Sequence, residues 1–355
     1  MLVSELRKNL ILFLASSIFS IILSEAIVRI FNLAPQLSDR LSYFRLVDNC
    51  KIVYELIPGS FVDGGIINQQ GFRGPNFNRE KAKDIIRIAM LGDSITQGLL
   101  VEFEKTFSHQ LEVLLNHRAM DIGSNLRYEV MNFGVSGYNL EAEVETLKAK
   151  VLQYSPDIVI LNFFHNDNEP MPGLNLLLMN DTWDEKQKIY IYKKYFLERD
   201  SLWNRFVRNE LYKSKLYLFV KYRIGLIRND ISQVYNFYNK NANTIVTDKT
   251  KAVFYNNLLE IKRLKEKYHF KFLICIHPHL LYGEHPNNKE FAEVAKELKL
   301  PYFHMFEHYK KEFLLSKPIE IEKKDSCHPN ALGHLAIAKA IFTELKKDKF
   351  IDNAM

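Results

Sequence analysis

Three side-chain types needed for acyl-transfer chemistry occur in this chain at suggestive positions. In "IRIAMLGDSITQG", Ile86 to Gly98, an apolar run stops at Gly92-Asp93-Ser94, so a buried strand would end by presenting a hydroxyl. A serine is a poor nucleophile until a base takes its proton. The base candidate lies far along the chain in "KKDSCHPNALGH", where Asp325 and His328 are three apart. One loop can hold both, with the carboxylate orienting the imidazole. A tetrahedral intermediate also needs donors for its oxyanion. Gly137 in "NFGVSGYN" offers a backbone N–H, Asn166 in "HND" a side-chain amide, and Ser94 its own N–H.

Rival readings of the same residue types are weaker. Ser136 in "GVSGY" nearly completes a nucleophile-elbow pattern, but Tyr138 breaks it, and that fold takes its acid and histidine from separate loops. His277 and His279 in "IHPHL", with Asp93, His165 and Asp167, suggest a two-metal hydrolase. The Asp-x-His that such sites need on the first strand is missing, so no metal is expected. Asp167 reads as a loop-fixing residue that aims Asn166, Phe164 as a bulky ring that could narrow the site, and His334 as packing or surface. Cys50, Cys275 and Cys327 have no CxxC spacing, so neither a zinc framework nor a disulfide scaffold is indicated.

Positioning these groups falls to alternating strands and helices. "IIRIAML", "YEVMNF", "DIVILNFF", "FKFLICI" and the weaker "PYFHM" read as strands. Between them, "TFSHQLEVLLNH", "LEAEVETLKAKVL", "VFYNNLLEIKRLKEKY", "KEFAEVAKEL" and "NALGHLAIAKAIFTEL" read as helices, the last started by Pro329. Short continuous apolar strands alternating with helices predict a parallel sheet covered on both faces. Sites in such sheets lie beyond the strand C-termini, which puts Ser94, Asn132–Gly137 and Phe164–Asp167 on one rim.

In this order and at these distances, "GDSITQG", "NFGVSGYN", "HND" and "DSCHPN" resemble the four blocks of the SGNH/GDSL hydrolases, over roughly residues 83–170 and 250–345. The resemblance implies a flavodoxin-like three-layer α/β/α sandwich and a catalytic Ser94, Asp325 and His328. Ser94, Gly137 and Asn166 would then form the oxyanion hole, and no cofactor is implied. Phe164 stands where the family's third block usually has glycine. The apolar N-terminus and the "GFRG" segment are similar to a membrane-anchored bacterial subgroup.

The composition, 47% hydrophobic and 25% charged, is that of a globular protein. The net charge of +6 comes from scattered lysines and gives little support for nucleic acid as a partner. Three regions are expected: an anchor over residues 1–35, a linker and extension over 36–82, and an SGNH-type domain over 83–350. Within the last, a Lys- and aromatic-rich helical insertion occupies about 170–248.

In the anchor, Arg7 and Lys8 precede an uncharged run from Asn9 to Ser24, and Glu25 and Arg29 can pair across one helical turn. Charge ahead of the span predicts an exported catalytic domain. The alternative is a cleaved signal with Ser24-Glu25-Ala26 as its small-x-small site. The insertion, with Tyr190, Tyr192, Tyr195 and a Trp203, Phe206, Val207, Leu211 face, could form a lid, lie on the membrane or pack on the core.

The expected activity is hydrolysis of an O-acyl or acetyl ester on a small molecule, lipid or glycan. An O-acetyltransferase using the same triad is the alternative, and a non-catalytic glycan-binding or assembly module is the alternative of another class.

Overall fold

In a computed structural model, the structure describes residues 2–31, 33, 43–47, 49, 51–62, 65–167, 214–217, 219–220, 223, 248–280, 283–313, 327–348 and 350–351. Chain contacts divide the protein into two compact units, one formed by residues 1–42 with 175–242 and the other by 43–174 with 243–355.

The described part of the first unit is helical. Helix α1 (Leu2–Ile30) is apolar over most of its length, and residues Glu5–Ile30 are long and apolar enough to cross a membrane. Its large side chains, among them Leu12, Phe19 and Ile22, are exposed. Residues Lys215–Tyr217, Phe219–Val220 and Arg223 are also helical.

The second unit opens with two small antiparallel hairpins, β1 (Phe44–Leu46) with β2 (Tyr54–Leu56) and β3 (Phe61–Val62) with β4 (Gly65–Ile66). Then comes β5 (Ile85–Gly92), followed without a loop by the single-turn helix α2 (Ser94–Gln97). The chain continues through α3 (Phe107–Asp121), β6 (Arg127–Asn132), α4 (Leu140–Thr146) and β7 (Ile158–Phe163). Further along the chain come α5 (Asp248–Tyr268), β8 (Lys271–Ile276), α6 (Pro286–Glu297), β9 (Tyr302–His304), α7 (Met305–Phe313) and α8 (Ala331–Lys347). Helix α4 runs on as a π turn over Leu147–Val151, where the sequence reads as one regular helix.

Strands β5 to β9 form one parallel sheet in the order β6-β5-β7-β8-β9. This is the doubly wound flavodoxin-like order, and its direction reverses between β5 and β7. Successive side chains on each strand enter opposite layers. Ala89 and Leu91 of β5 pack with α4, α5 and α6 through residues such as Leu140, Leu258 and Phe291. Ile88 and Met90 pack on the other face with Phe107, Leu111 and Leu115 of α3 and Ile337 and Ile341 of α8. The three-layer sandwich expected from the sequence is therefore present, with its crevice beyond the C-terminal end of β5.

Candidate active site

The turn from β5 into α2 leaves little room. Gly92 has φ +153°, and a Cβ there would lie 2.0 Å from Thr96 Oγ1. Gly134, in the loop after β6, is closer still to backbone: a Cβ would meet Gln97 N at 2.3 Å. Two glycines thus let β5, α2 and the β6 loop converge. Asp93 caps α2, its Oδ1 accepting from Ile95 N at 2.8 Å, and Gly98 ends the turn with φ +78°.

Ser94, at the first position of α2, is half-buried, and its Oγ lies 2.9 Å from His328 Nε2, a contact that closes a separation of 234 residues. Asp93 Oδ2 accepts more weakly from the same hydroxyl at 3.5 Å. His328 precedes α8, whose cap is Asn330, with Oδ1 accepting from Leu332 N and Gly333 N. Pro329 therefore stands just outside the helix, because the side-chain cap of Asn330 sets the start. Asp325 lies outside the described residues, as do Tyr190, Tyr192, Tyr195 and Trp203 of the insertion.

Gly137 follows β6 with φ +79°, a left-handed turn position suited to glycine. The residue before it is held from two sides. Gln97 Oε1 accepts from Ser136 N at 2.8 Å and from Ser136 Oγ at 2.9 Å, and Tyr54 OH donates to Ser136 O at 2.8 Å. Ser136 is thus tied up in loop contacts. Asn166 sits in the turn after β7, closed by Phe164 N donating to Asp167 Oδ2 at 2.7 Å. Leu140 N donates to Asp167 O at 2.9 Å and ties that turn to the loop that carries Gly137. Asp167 has the loop-fixing place expected of it. Phe164 does not narrow the rim: it is buried in the layer with Ile95, Phe107 and Phe303.

Sequence reasoning missed Gln97 and Arg73. Arg73, fully buried, donates from Nη1 to Gln97 O at 2.9 Å and Gly98 O at 2.6 Å, and from Nη2 to Val101 O at 2.5 Å. It therefore ties down the segment that follows the serine. The signal available was "GFRG" itself, an arginine between glycines.

Below the rim, burial pushes the carboxyl groups of Asp93, Glu143 and Asp167 upward, and the repulsion of Asp93 adds to this at Glu143 and Asp167. Neither Glu143 oxygen has a hydrogen-bond partner among the described residues. Burial lowers His277 and His334 to about 3, so both stay neutral. His334 accepts from Phe107 N at 3.2 Å and stacks on the Phe107 ring, a packing role. Cys275 is buried in the core. Among the described residues no group of three or more His, Cys, Asp or Glu could hold a metal ion.

The GDSL-like lipase/acylhydrolase family profile matches residues 88–186, which include Ser94, Gly137 and Asn166. No curated protein matches the sequence significantly. Solved structures similar to this chain include a two-domain esterase active on acetylated mannans, at 15% identity and TM-score 0.42, covering 73% of this chain and 49% of that one. The chain thus spans about half of that esterase. A catalytic mutant of an acetylxylan esterase from Geobacillus stearothermophilus shares 14% identity, covering 76% and 96% of the two chains at TM-score 0.42. A lipase/acylhydrolase from Enterococcus faecalis shares 18%, covering 74% and 96% at TM-score 0.40. The family match runs through the strand-to-helix turn at Ser94, so residues 88–186 of this chain are similar to a GDSL-like lipase/acylhydrolase domain.

Proposed function

We propose that this domain cleaves an O-acyl or acetyl ester through an acyl-enzyme on Ser94. The observation that carries the reading is the 2.9 Å contact between Ser94 Oγ and His328 Nε2 at the topological switch point of the sheet. His328 takes the proton as Ser94 Oγ bonds to the ester carbonyl carbon, and Asp325 orients the imidazole. The N–H groups of Ser94 and Gly137 and the amide of Asn166 hold the oxyanion. His328 then protonates the departing alcohol, and a water activated by the same imidazole releases the acid. A sugar hydroxyl in place of that water would make the site an O-acetyltransferase. The substrate class is an acylated glycan, lipid or small molecule. Helix α1 would serve as a retained anchor with the domain exported, in contrast to a cleaved signal.

A fluorophosphonate should label Ser94, and Ser94→Ala should abolish both labelling and turnover of acylated glycans or lipid esters, a loss of several orders of magnitude. Mass detection of the acyl group as free acid or as a new ester separates hydrolysis from transfer. Retained turnover in the alanine variant, or labelling at Ser136, overturns the assignment.

A further inference from the structure

Glu25 is a charged residue near the end of an apolar helix, and its carboxylate is fully engaged. It receives the Arg29 guanidinium at 2.7 Å, Ser214 Oγ at 2.7 Å, Lys215 N at 2.9 Å and Leu216 N at 2.8 Å. Ser214 Oγ in turn accepts from Tyr217 N at 3.0 Å. Glu25 and Ser214 together therefore satisfy the first N–H groups of the helical residues that begin at Lys215, where negative charge also meets the positive end of the helix. A carboxylate with this many donors is a built joint between α1 and the insertion.

Its depth follows from the sequence. In a retained anchor the uncharged run Asn9–Ser24 covers roughly 24 Å as helix, so Glu25 falls within roughly 6 Å of the far edge of a hydrocarbon layer about 30 Å thick. From Ser214 to Arg223 the sequence reads "SKLYLFVKYR". It interleaves Lys and Arg with aromatic and branched side chains and contains no Asp or Glu. Val220 is exposed at 42%, and the Arg223 guanidinium lies 5.3 Å from the Phe219 ring centroid. Basic residues interleaved with aromatics, started at the level where a spanning helix leaves the hydrocarbon, match the interfacial layer of a bilayer bearing anionic headgroups.

We infer that the segment beginning at Ser214 is a second membrane contact, held at the anionic lipid interface by the Glu25 joint. The occupant of its exposed face is the bilayer surface, and its basic side chains meet lipid phosphates. A chain cleaved after Ala26 would lose the joint.

The test uses the full chain with Cys50 and Cys327 replaced by Ser and Val220→Cys carrying an environment-sensitive fluorophore. It is reconstituted in vesicles of phosphatidylcholine with phosphatidylglycerol, or of phosphatidylcholine alone, each doped with shallow nitroxide-labelled lipid. Blue-shifted emission and strong quenching are expected in the mixed vesicles, with several-fold weaker quenching in the neutral ones. Glu25→Ala should reduce quenching several-fold while α1 still resists carbonate extraction and Ser94 is still labelled. Lys221→Glu with Arg223→Glu leaves the joint intact and should erase the difference between vesicle types. Water-like emission, or blue-shifted emission unquenched by lipid, overturns the inference. So does equal quenching in both vesicles, or quenching indifferent to Glu25→Ala.

Discussion

Gln97 closes the helical turn that Ser94 opens, and its single Oε1 accepts both donors of Ser136, the backbone N–H at 2.8 Å and the hydroxyl at 2.9 Å. The turn that carries Ser94 is thereby fastened to the loop that carries Gly137. Gln97 is wholly buried, so water cannot replace the lost acceptor cheaply. Gln97→Met keeps the volume and removes the acceptor. It should lower kcat about 10- to 100-fold with KM nearly unchanged, short of the loss from deleting an oxyanion donor outright. Gln97→Glu, held neutral by burial, keeps an acceptor and should restore most of the rate. A fall in KM and kcat together, or no rescue by Glu, would assign Gln97 to folding alone.

The close approach of Gly134 to α2 gives a steric prediction. A methyl group there meets backbone at 2.3 Å and 2.6 Å, which no rotamer change relieves. Gly134→Ala should cost about 1–3 kcal/mol and displace the Ser94 turn. Gly123 makes the control, since its Cβ would meet nothing within 4 Å and only its φ of +67° resists substitution. Gly123→Ala should cost about 1–2 kcal/mol and leave turnover intact. Thermal unfolding with ester turnover on both variants checks this. Equal activity in the two would show that α2 tolerates the shift.

The layers of this domain were legible because its strands are buried on both faces and therefore read as unbroken apolar runs. Residues Ile158–Phe163, for example, are all buried. The proximity of Ser94 to His328 was not written in local spacing. It came from the order of four short blocks, and the sheet closes the distance. Gln97 and Arg73 escaped because their partners, the N–H and hydroxyl of Ser136 for one and three backbone carbonyls for the other, lie on segments distant in sequence, and side-chain pattern alone does not pair them. The hairpins β1 to β4 escaped for another reason: strands of two or three residues are too short for a period of two to register.

Arg73 offers the strongest test of how the turn at Ser94 is held. Its guanidinium serves three carbonyls, at Gln97, Gly98 and Val101, within one buried fork. Charge-assisted bonds of this kind contribute more than neutral ones. Arg73→Ala should lower stability by roughly 3 kcal/mol or more and reduce fluorophosphonate labelling of the folded fraction. Arg73→Lys keeps the charge but not the planar fork, so it should fall between the two. Denaturant unfolding and labelling kinetics read both effects. A lysine variant with wild-type stability would show that the charge alone suffices.

Stability should also carry the mark of the buried titratable groups. His277 and His334 are held at about 3 in the folded chain against 6.5 for an ordinary imidazole. Between those limits the unfolded chain binds the extra protons, so acidification through that window destabilises the fold, by on the order of 5 kcal/mol per imidazole over the full range. Glu143 works in the opposite direction. Burial, helped by Asp93, holds its carboxyl well above 4.5, so the folded chain keeps a proton that the unfolded chain releases. The stability Glu143 contributes is complete at acid pH and is lost as pH rises toward its folded pKa. Glu143→Gln retains the shape and removes the titration. Its melting temperature relative to the unaltered protein should therefore be lowest at acid pH and rise steadily through neutral pH, while the acid arm due to the histidines remains. Melting curves of both proteins across the pH range decide the matter. Parallel curves would mean that Glu143 is no more protonated in the folded chain than in the unfolded one.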